Sequence, residues 1–259
     1  QVLARAPPRL IDIKDPADPY SAAQFCIDAR RAMAAMGAAG QIPLLVGGTG
    51  LYFQALTQGL TPLPGADANL RHALDVERRR RGLGALHERL GRLDPAAAAR
   101  IHPHDTQRII RALELCLVSG RPATALYGQT PTPVGHYRFV KIALAPAERQ
   151  VLHRRIEARF RSMLERGLIQ EVQTLRQRGD LTLDTPAMRA VGYRQVWEYL
   201  DGYGDVEELH RRGTVATRQF AKRQLTWLRR DSGLTWLENG ANTLDNSIEV
   251  LERESIFST

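Results

Sequence analysis

The stretch LLVGGTGLYFQALTQGL, Leu44 to Leu60, reads as a buried strand, a glycine turn carrying one threonine, and a helix. Leu44, Leu45 and Val46 form the short apolar run of a parallel strand covered on both faces. Gly47 and Gly48 let the backbone turn tightly and approach a ligand closely. Thr49 then presents a hydroxyl where unpaired helix N–H groups favour an anion. A strand–GGTG–helix unit is a place to hold phosphate; it is also what a tight turn with a threonine N-cap looks like.

On the amino side of this unit, PRLIDIKDP (Pro8 to Pro16) is strand-like. Ser21 to Ala39 is a helix, capped by Ser21, with Gln24 completing a capping box and Gly40 following its end. The order β–α–β–α implies a parallel sheet. On the carboxyl side, TPLPGADANLR (Thr61 to Arg71) breaks the rhythm, and helices follow at Leu70–Arg81, Leu83–Leu93 and Asp105–Val118. A linker, Tyr127 to Gly135, leads to RFVKIALAP (Arg138 to Pro146), which returns to strand character, and LTWLEN near the end reads as an edge strand. The expected fold class is α/β: a parallel-sheet core from residues 1–61 and 138–259, interrupted by an all-helical insertion over 62–137.

The bulk properties narrow the function. The 259 residues are enough for a substantial core, and 43% hydrophobic with 25% charged residues is ordinary for a globular chain. No run of 18 apolar residues exists, so no membrane span is expected. Cys26 and Cys116 are isolated and read as packed, reduced thiols of a cytoplasmic protein. The histidines form no metal-like pair with an acid, so no metal ligands are expected. The net charge of +8 points instead to a polyanion, nucleic acid first, against the alternative of a generally basic surface.

Where the charge sits sharpens this. In the helix from Glu148 to Gly167 the apolar stripe runs through Leu152, Ile156, Phe160 and Met163, and Arg159 falls within it. A buried arginine needs an anionic partner, either a core carboxylate or a bound phosphate. Gln107, Arg108 and Arg111 cluster at the start of the helix after Asp105, whose buried side is Ile109, Ile110, Leu113 and Leu117. In the helix ending near Arg230, Arg211, Arg218, Lys222 and Arg229 lie within about 40° of one another. Arg212, Arg223 and Arg230 form a second row, and Phe220 with Trp227 is expected to face the core. No acid occurs between Glu208 and Asp231, so this helix suits a phosphate backbone. The run Arg78–Arg81 reads as a solvated helix end.

GGTGLYFQALTQGL, HPHDTQRIIRALEL, IEARF, MRAVGYRQVWEYL and ATRQFAKRQLTWLRR occur in that order. Together they resemble the tRNA dimethylallyltransferase (tRNA isopentenyltransferase) family over about Arg9 to Glu238. The resemblance implies a P-loop-kinase-like sheet core and transfer of a dimethylallyl group from dimethylallyl diphosphate to N6 of adenosine 37 of tRNA. It implies that Arg159 contacts the donor's diphosphate, with Gly47, Gly48 and Thr49 beside it, Thr49 and Arg159 serving the chemistry. It implies that Arg71, Gln107, Arg108 and Arg111 face tRNA. It further implies that Gly192, Arg194 and Gln195 cradle the flipped nucleotide, and it suits RNA contact by Arg218, Lys222 and Arg223. A Mg²⁺ ion and a monomer binding an anticodon stem-loop are expected too. The family's G-x-x-x-x-G-K-[ST] loop, and the aspartate that acts as its general base, do not occur in the sequence, so the chain reads as one lacking its first strand and phosphate loop. Asp12 and Asp15 match a different family segment and do not fill that role. The alternatives are a non-catalytic tRNA-binding homologue and a small-molecule P-loop kinase.

Overall fold

The computed structural model describes residues 8–128 and 137–254; most of the linker expected at Tyr127–Gly135 lies outside them. The chain divides into two compact units, Gln1–Ala55 with His136–Thr259, and Leu56–Gly135. Among the described residues no helix is long and apolar enough to cross a membrane.

In the first unit α1 (Ala22–Ala38) starts where the sequence places it, with Ser21 Oγ accepting from the Gln24 N–H at 3.1 Å. Only half of the capping box forms, because the Gln24 amide turns to the Asp28 carboxylate at 3.2 Å. After α2 (Gly50–Gln58) the unit resumes with β1 (Lys141–Ala145), α7 (Arg149–Glu165), α8 (Leu168–Gln177), a 3-10 turn (Pro186–Arg189), α9 (Tyr193–Leu200), α10 (Val206–Leu228), β2 (Leu234–Glu238) and α11 (Thr243–Arg253). β1 and β2 pair in parallel, from Lys141 opposite Leu234 to Ala145 opposite Glu238. The fold is therefore α/β, with a small parallel sheet and many helices.

Two strand expectations are corrected. Leu44–Val46 forms no strand, and Leu44 and Val46 are 81% and 86% exposed. A strand is defined by its ladder partners, and the only described sheet is β1 with β2. Pro8–Pro16 is irregular as well: Leu10 and Asp12 take left-handed φ values of 63° and 55°, which a strand does not allow.

The core of this unit lies between α7, α8, α9 and α10, where Phe160, Val172, Met188, Val196, Trp197 and Leu209 pack together. Its tightest point is the meeting of α7 with α10. A Cβ placed on Gly213 would lie 1.9 Å from Phe160 Cζ, so the ring rests directly on the α10 backbone. Gly213→Ala is expected to destabilise this unit by about 1–3 kcal/mol despite alanine's better helix propensity. Thermal unfolding checks it, and Phe160→Leu in the same chain should recover part of the loss.

The second unit is helical: α3 (Ala68–Leu93), α4 (Pro95–Arg100), α5 (Thr106–Ser119) and α6 (Ala123–Tyr127). Gly82, at φ 80° and ψ 165°, breaks α3 into the two helices expected from the sequence. Leu74, Leu86, Leu90, Ile109, Leu113 and Leu115 form the core. Leu117, expected inside, is exposed, because α5 buries its Ile109–Leu113–Cys116 side. Asp94 is 1% exposed and accepts from the N–H groups of Ala97 (2.9 Å) and Thr124 (2.8 Å) and from the Thr124 hydroxyl. It thereby caps α4 and ties α6 to it. Burial pushes its carboxyl up, and these donors outweigh burial, so it titrates below the ordinary range. The Arg78–Arg81 run is not simply solvated, since Arg78 and Arg79 pair with Asp75 and Arg81 pairs with Glu77.

Candidate phosphate loop and nucleic-acid interface

Gly47, Gly48 and Thr49 are exposed just ahead of α2. The Thr49 carbonyl accepts from the Tyr52 N–H (3.0 Å) and the Phe53 N–H (3.3 Å), which closes the first turn. Among the described residues the N–H groups of Gly48 to Leu51 find no acceptor. Open amides at the start of a helix, next to an exposed threonine, form a site an anion can occupy.

This loop lies against α10. The Gln224 side chain donates from Nε2 to the Gly48 carbonyl at 3.0 Å. A Cβ on Gly48 would come within 2.2 Å of that nitrogen, and a Cβ on Gly50 within 2.9 Å of the Trp227 ring. Gly50 is thus closely packed against the Trp227 ring, whereas a Cβ on Gly48 would displace the Gln224 amide from its hydrogen bond. Trp227 and Phe220, expected in the core, are 37% and 41% exposed. Both lie within about 60° of Gln224 on the helix, so that face carries the loop rather than a closed interior.

The cations of α10 sort into two groups. Arg211 pairs with Glu208 at 2.7 Å, Arg212 with Glu198, and Arg218 with Glu157 at 3.3 Å. The carboxylates for these three come from α7, α9 and the helix's own first turn. Among the described residues Lys222, Arg229 and Arg230 have no carboxylate partner, and Arg223 stacks over Phe220 at 5.7 Å. Uncompensated charge is therefore concentrated in the half of α10 that holds the glycine loop. Positive potential extends onto α7: His153 accepts from Arg149 at 3.3 Å, and burial followed by Arg218 and Arg149 pushes its pKa down. Arg218 Nε is buried without a hydrogen-bond partner among the described residues.

Arg159 is exposed, not buried in the stripe. The burial of α7 centres on Ile156 and Phe160, while Leu152 and Met163 are only half-buried, which leaves Arg159 about 80° from that centre. No ion pair engages it among the described residues, so neither the core carboxylate nor the buried setting expected for it is found.

The segment after the 3-10 turn also differs from expectation. Gly192 is buried, at φ 100°, beside Phe160, Met163 and Leu168. The glycine is required by left-handed backbone in a packed setting. Gln195 Oε1 accepts from the Gly192 N–H at 2.8 Å and caps α9. Arg194 is exposed, 3.8 Å from Glu198. Between them Tyr193 lines a cavity of about 760 Å³ with Asp18, Tyr20, Tyr52 and Glu171. The Tyr193 hydroxyl donates to Glu171, and burial first, then that carboxylate, pushes its pKa up to about 12. Tyr52 donates to the Tyr20 carbonyl at 3.0 Å, and Asp15 holds Arg178 in a bidentate pair at 2.8 and 3.0 Å. No local sequence signal marks this wall, because its parts come from positions far apart in the chain.

In the helical unit Glu114 is fully buried. It accepts from Arg71 Nε and Nη2 (both 2.9 Å), Arg111 Nη1 (2.6 Å) and the Asp67 N–H (2.8 Å). Arg111 also donates to the Pro64 carbonyl. Glu114 is thus the buried centre of a knot with two arginines. Gln107 is exposed, as is Arg108, which pairs with Asp105 at 3.1 Å. Arg71 remains 47% exposed.

The family described as IPP transferase matches residues 1–231. A tRNA dimethylallyltransferase of Halorhodospira halophila is 55% identical over 228 residues, covering 88% of this chain and 74% of its own length. One from Thiobacillus denitrificans is 54% identical over 249 residues, covering 96% and 79%. The crystal structure of a tRNA isopentenylpyrophosphate transferase from Bacillus halodurans superposes with a TM-score of 0.61 at 36% identity, covering 96% of this chain and 77% of that one. A eukaryotic dimethylallyltransferase, at 21% identity and a TM-score of 0.71, shares the fold, covering 95% of this chain and 64% of its own. A family match over most of the chain, and identities above one half over most of both chains, place this protein in the IPP transferase family.

Proposed function

We propose that the protein transfers a dimethylallyl group from dimethylallyl diphosphate to N6 of adenosine 37 in tRNA, as a cytoplasmic monomer. What carries this reading is the joining of an exposed Gly-Gly-Thr loop to the uncompensated cations of α10. One feature suits a diphosphate, the other an RNA backbone, and they share one helix.

The reaction forms a bond from N6 to the allylic carbon and breaks the carbon–oxygen bond to diphosphate. An exocyclic amine is a poor nucleophile, so a carboxylate must accept its proton. The diphosphate leaves well when preorganised donors meet its growing charge. Thr49, the amides of Gly48 to Leu51 and the exposed Arg159 guanidinium are the donors we assign to it. The target base must leave its stack, at a cost of a few kcal/mol. Arg71, Gln107 and Arg108, with the Arg111–Glu114 knot behind them, would hold the RNA on the helical unit. Arg194, Lys222, Arg223 and Arg218 would hold it on the α/β unit, with Gln195 and Gly192 shaping the backbone beneath. The described residues contain no group of three or more His, Cys, Asp or Glu that could hold a metal ion. No step is assigned to Mg²⁺.

The test is transfer of label from dimethylallyl diphosphate to an anticodon stem-loop bearing adenosine at position 37. Label at N6 is expected. Thr49→Ala should raise KM for the donor about tenfold, the loss of one charge-assisted hydrogen bond, with RNA affinity unchanged. Bound RNA with no label would favour the non-catalytic reading.

A further inference from the structure

Gln224 belongs to none of the groups assigned above, yet it joins the two halves of the proposed site. Its carboxamide Nε2 donates to the Gly48 carbonyl at 3.0 Å. A Cβ on Gly48 would displace that amide, and Trp227, one turn along, closes over Gly50. The loop is therefore seated on α10 by one hydrogen bond and one aromatic face. The cations flanking this seat, Lys222 and Arg223 in α10 and Arg229 and Arg230 just past its end, have no carboxylate partners among the described residues.

We propose that Gln224 is a positioning residue that couples the two substrates. Its hydrogen bond fixes the direction of the Gly48 carbonyl, and so turns the neighbouring amides outward for the diphosphate. RNA phosphates that order the C-terminal half of α10 order this seat as well. Occupancy by RNA then tightens diphosphate binding, and by linkage diphosphate tightens RNA binding by the same factor. This inference rests on the functional reading above.

The experiment measures the Kd of inorganic diphosphate with and without saturating anticodon stem-loop RNA, using the chain unchanged and as Gln224→Ala and Gln224→Met. Methionine keeps the approximate size of the side chain but has no donor and no charge, so it separates the hydrogen bond from packing. The unchanged chain should bind diphosphate about fivefold more tightly with RNA present. Both variants should lose that enhancement and bind diphosphate about 5–10-fold more weakly, while RNA affinity in the absence of diphosphate stays within about twofold of Gln224 protein. Variants that bind diphosphate normally and keep the enhancement would overturn the inference while leaving the functional reading intact. Failure of the unchanged chain to bind either ligand would overturn both.

Discussion

Changing Lys222, Arg223, Arg229 and Arg230 together to alanine is expected to weaken binding of an anticodon stem-loop about 100-fold near 0.1 M salt. The slope of log Kd against log salt should shrink by about 3. Each cation that neutralises a phosphate releases condensed counterions, and removing all four cations accounts for that change in slope. These residues cost the fold little, because none has a carboxylate partner among the described residues. Arg211 and Arg212 provide the contrast, being already satisfied by Glu208 and Glu198. Alanine at both should leave RNA affinity within about threefold and the salt slope nearly unchanged. A filter-binding titration at several salt concentrations, with thermal midpoints measured alongside, separates weakened RNA binding from unfolding.

The second large effect belongs to the helical unit. Glu114→Ala is expected to destabilise it by about 3–5 kcal/mol, the range for breaking a buried ion pair from one side. The substitution strands the Asp67 N–H and leaves Arg71 and Arg111 to find water. The carboxyl also makes the unit sensitive to acid. Burial pushes its pKa up, but the donors of Arg71, Arg111 and Asp67 pull harder, and the net position is below the ordinary value of 4.5. A carboxyl depressed in the folded state contributes fully above its unfolded value and loses that contribution as pH falls through its folded value. The gap in stability between the unchanged chain and Glu114→Gln should therefore be constant above about pH 5 and close below about pH 4. Hydrogen exchange across residues 68–119, read from pH 7 to pH 3 with the intrinsic rates corrected, measures it. A gap that stays the same at all pH values would mean that the charge of Glu114 carries none of the effect.

The helical unit is the most legible part of the chain. The helices read at Leu70–Arg81, Leu83–Leu93 and Asp105–Val118 are all found, because the break at Gly82 and the Asp105 cap act by local chemistry, while the short α4 and α6 have no counterpart in that reading. The α/β unit is less legible, for reasons that are equally physical. Leu44–Val46 has the composition of a buried strand, but pairing and burial are non-local, and composition cannot supply a neighbour. Periodicity places Arg159 by four apolar residues, two of which lie at the edge of the buried face. Moving the centre of that face by about one residue takes the arginine from inside to outside. The basic rows of α10 can be read from spacing, yet which cations are compensated depends on Glu157 and Glu198, which approach from α7 and α9. The Gln224–Gly48 hydrogen bond spans 176 residues and cannot be inferred from either end. Cys26 and Cys116 are buried free thiols, in keeping with the packing role expected for them, and burial raises the pKa of each.

Where the RNA lies decides between a working α10 interface and a merely basic helix. Photo-crosslinking shows it: an anticodon stem-loop with reactive groups along its backbone is bound to the unchanged chain, and the attached peptides are identified by mass spectrometry. If α10 and the helical unit hold the RNA, crosslinks fall in residues 222–230, beside the glycine loop, and around Arg71, Gln107 and Arg108. Crosslinks confined to α1, α11 or the β1–β2 edge, at RNA concentrations that saturate binding, would contradict that placement.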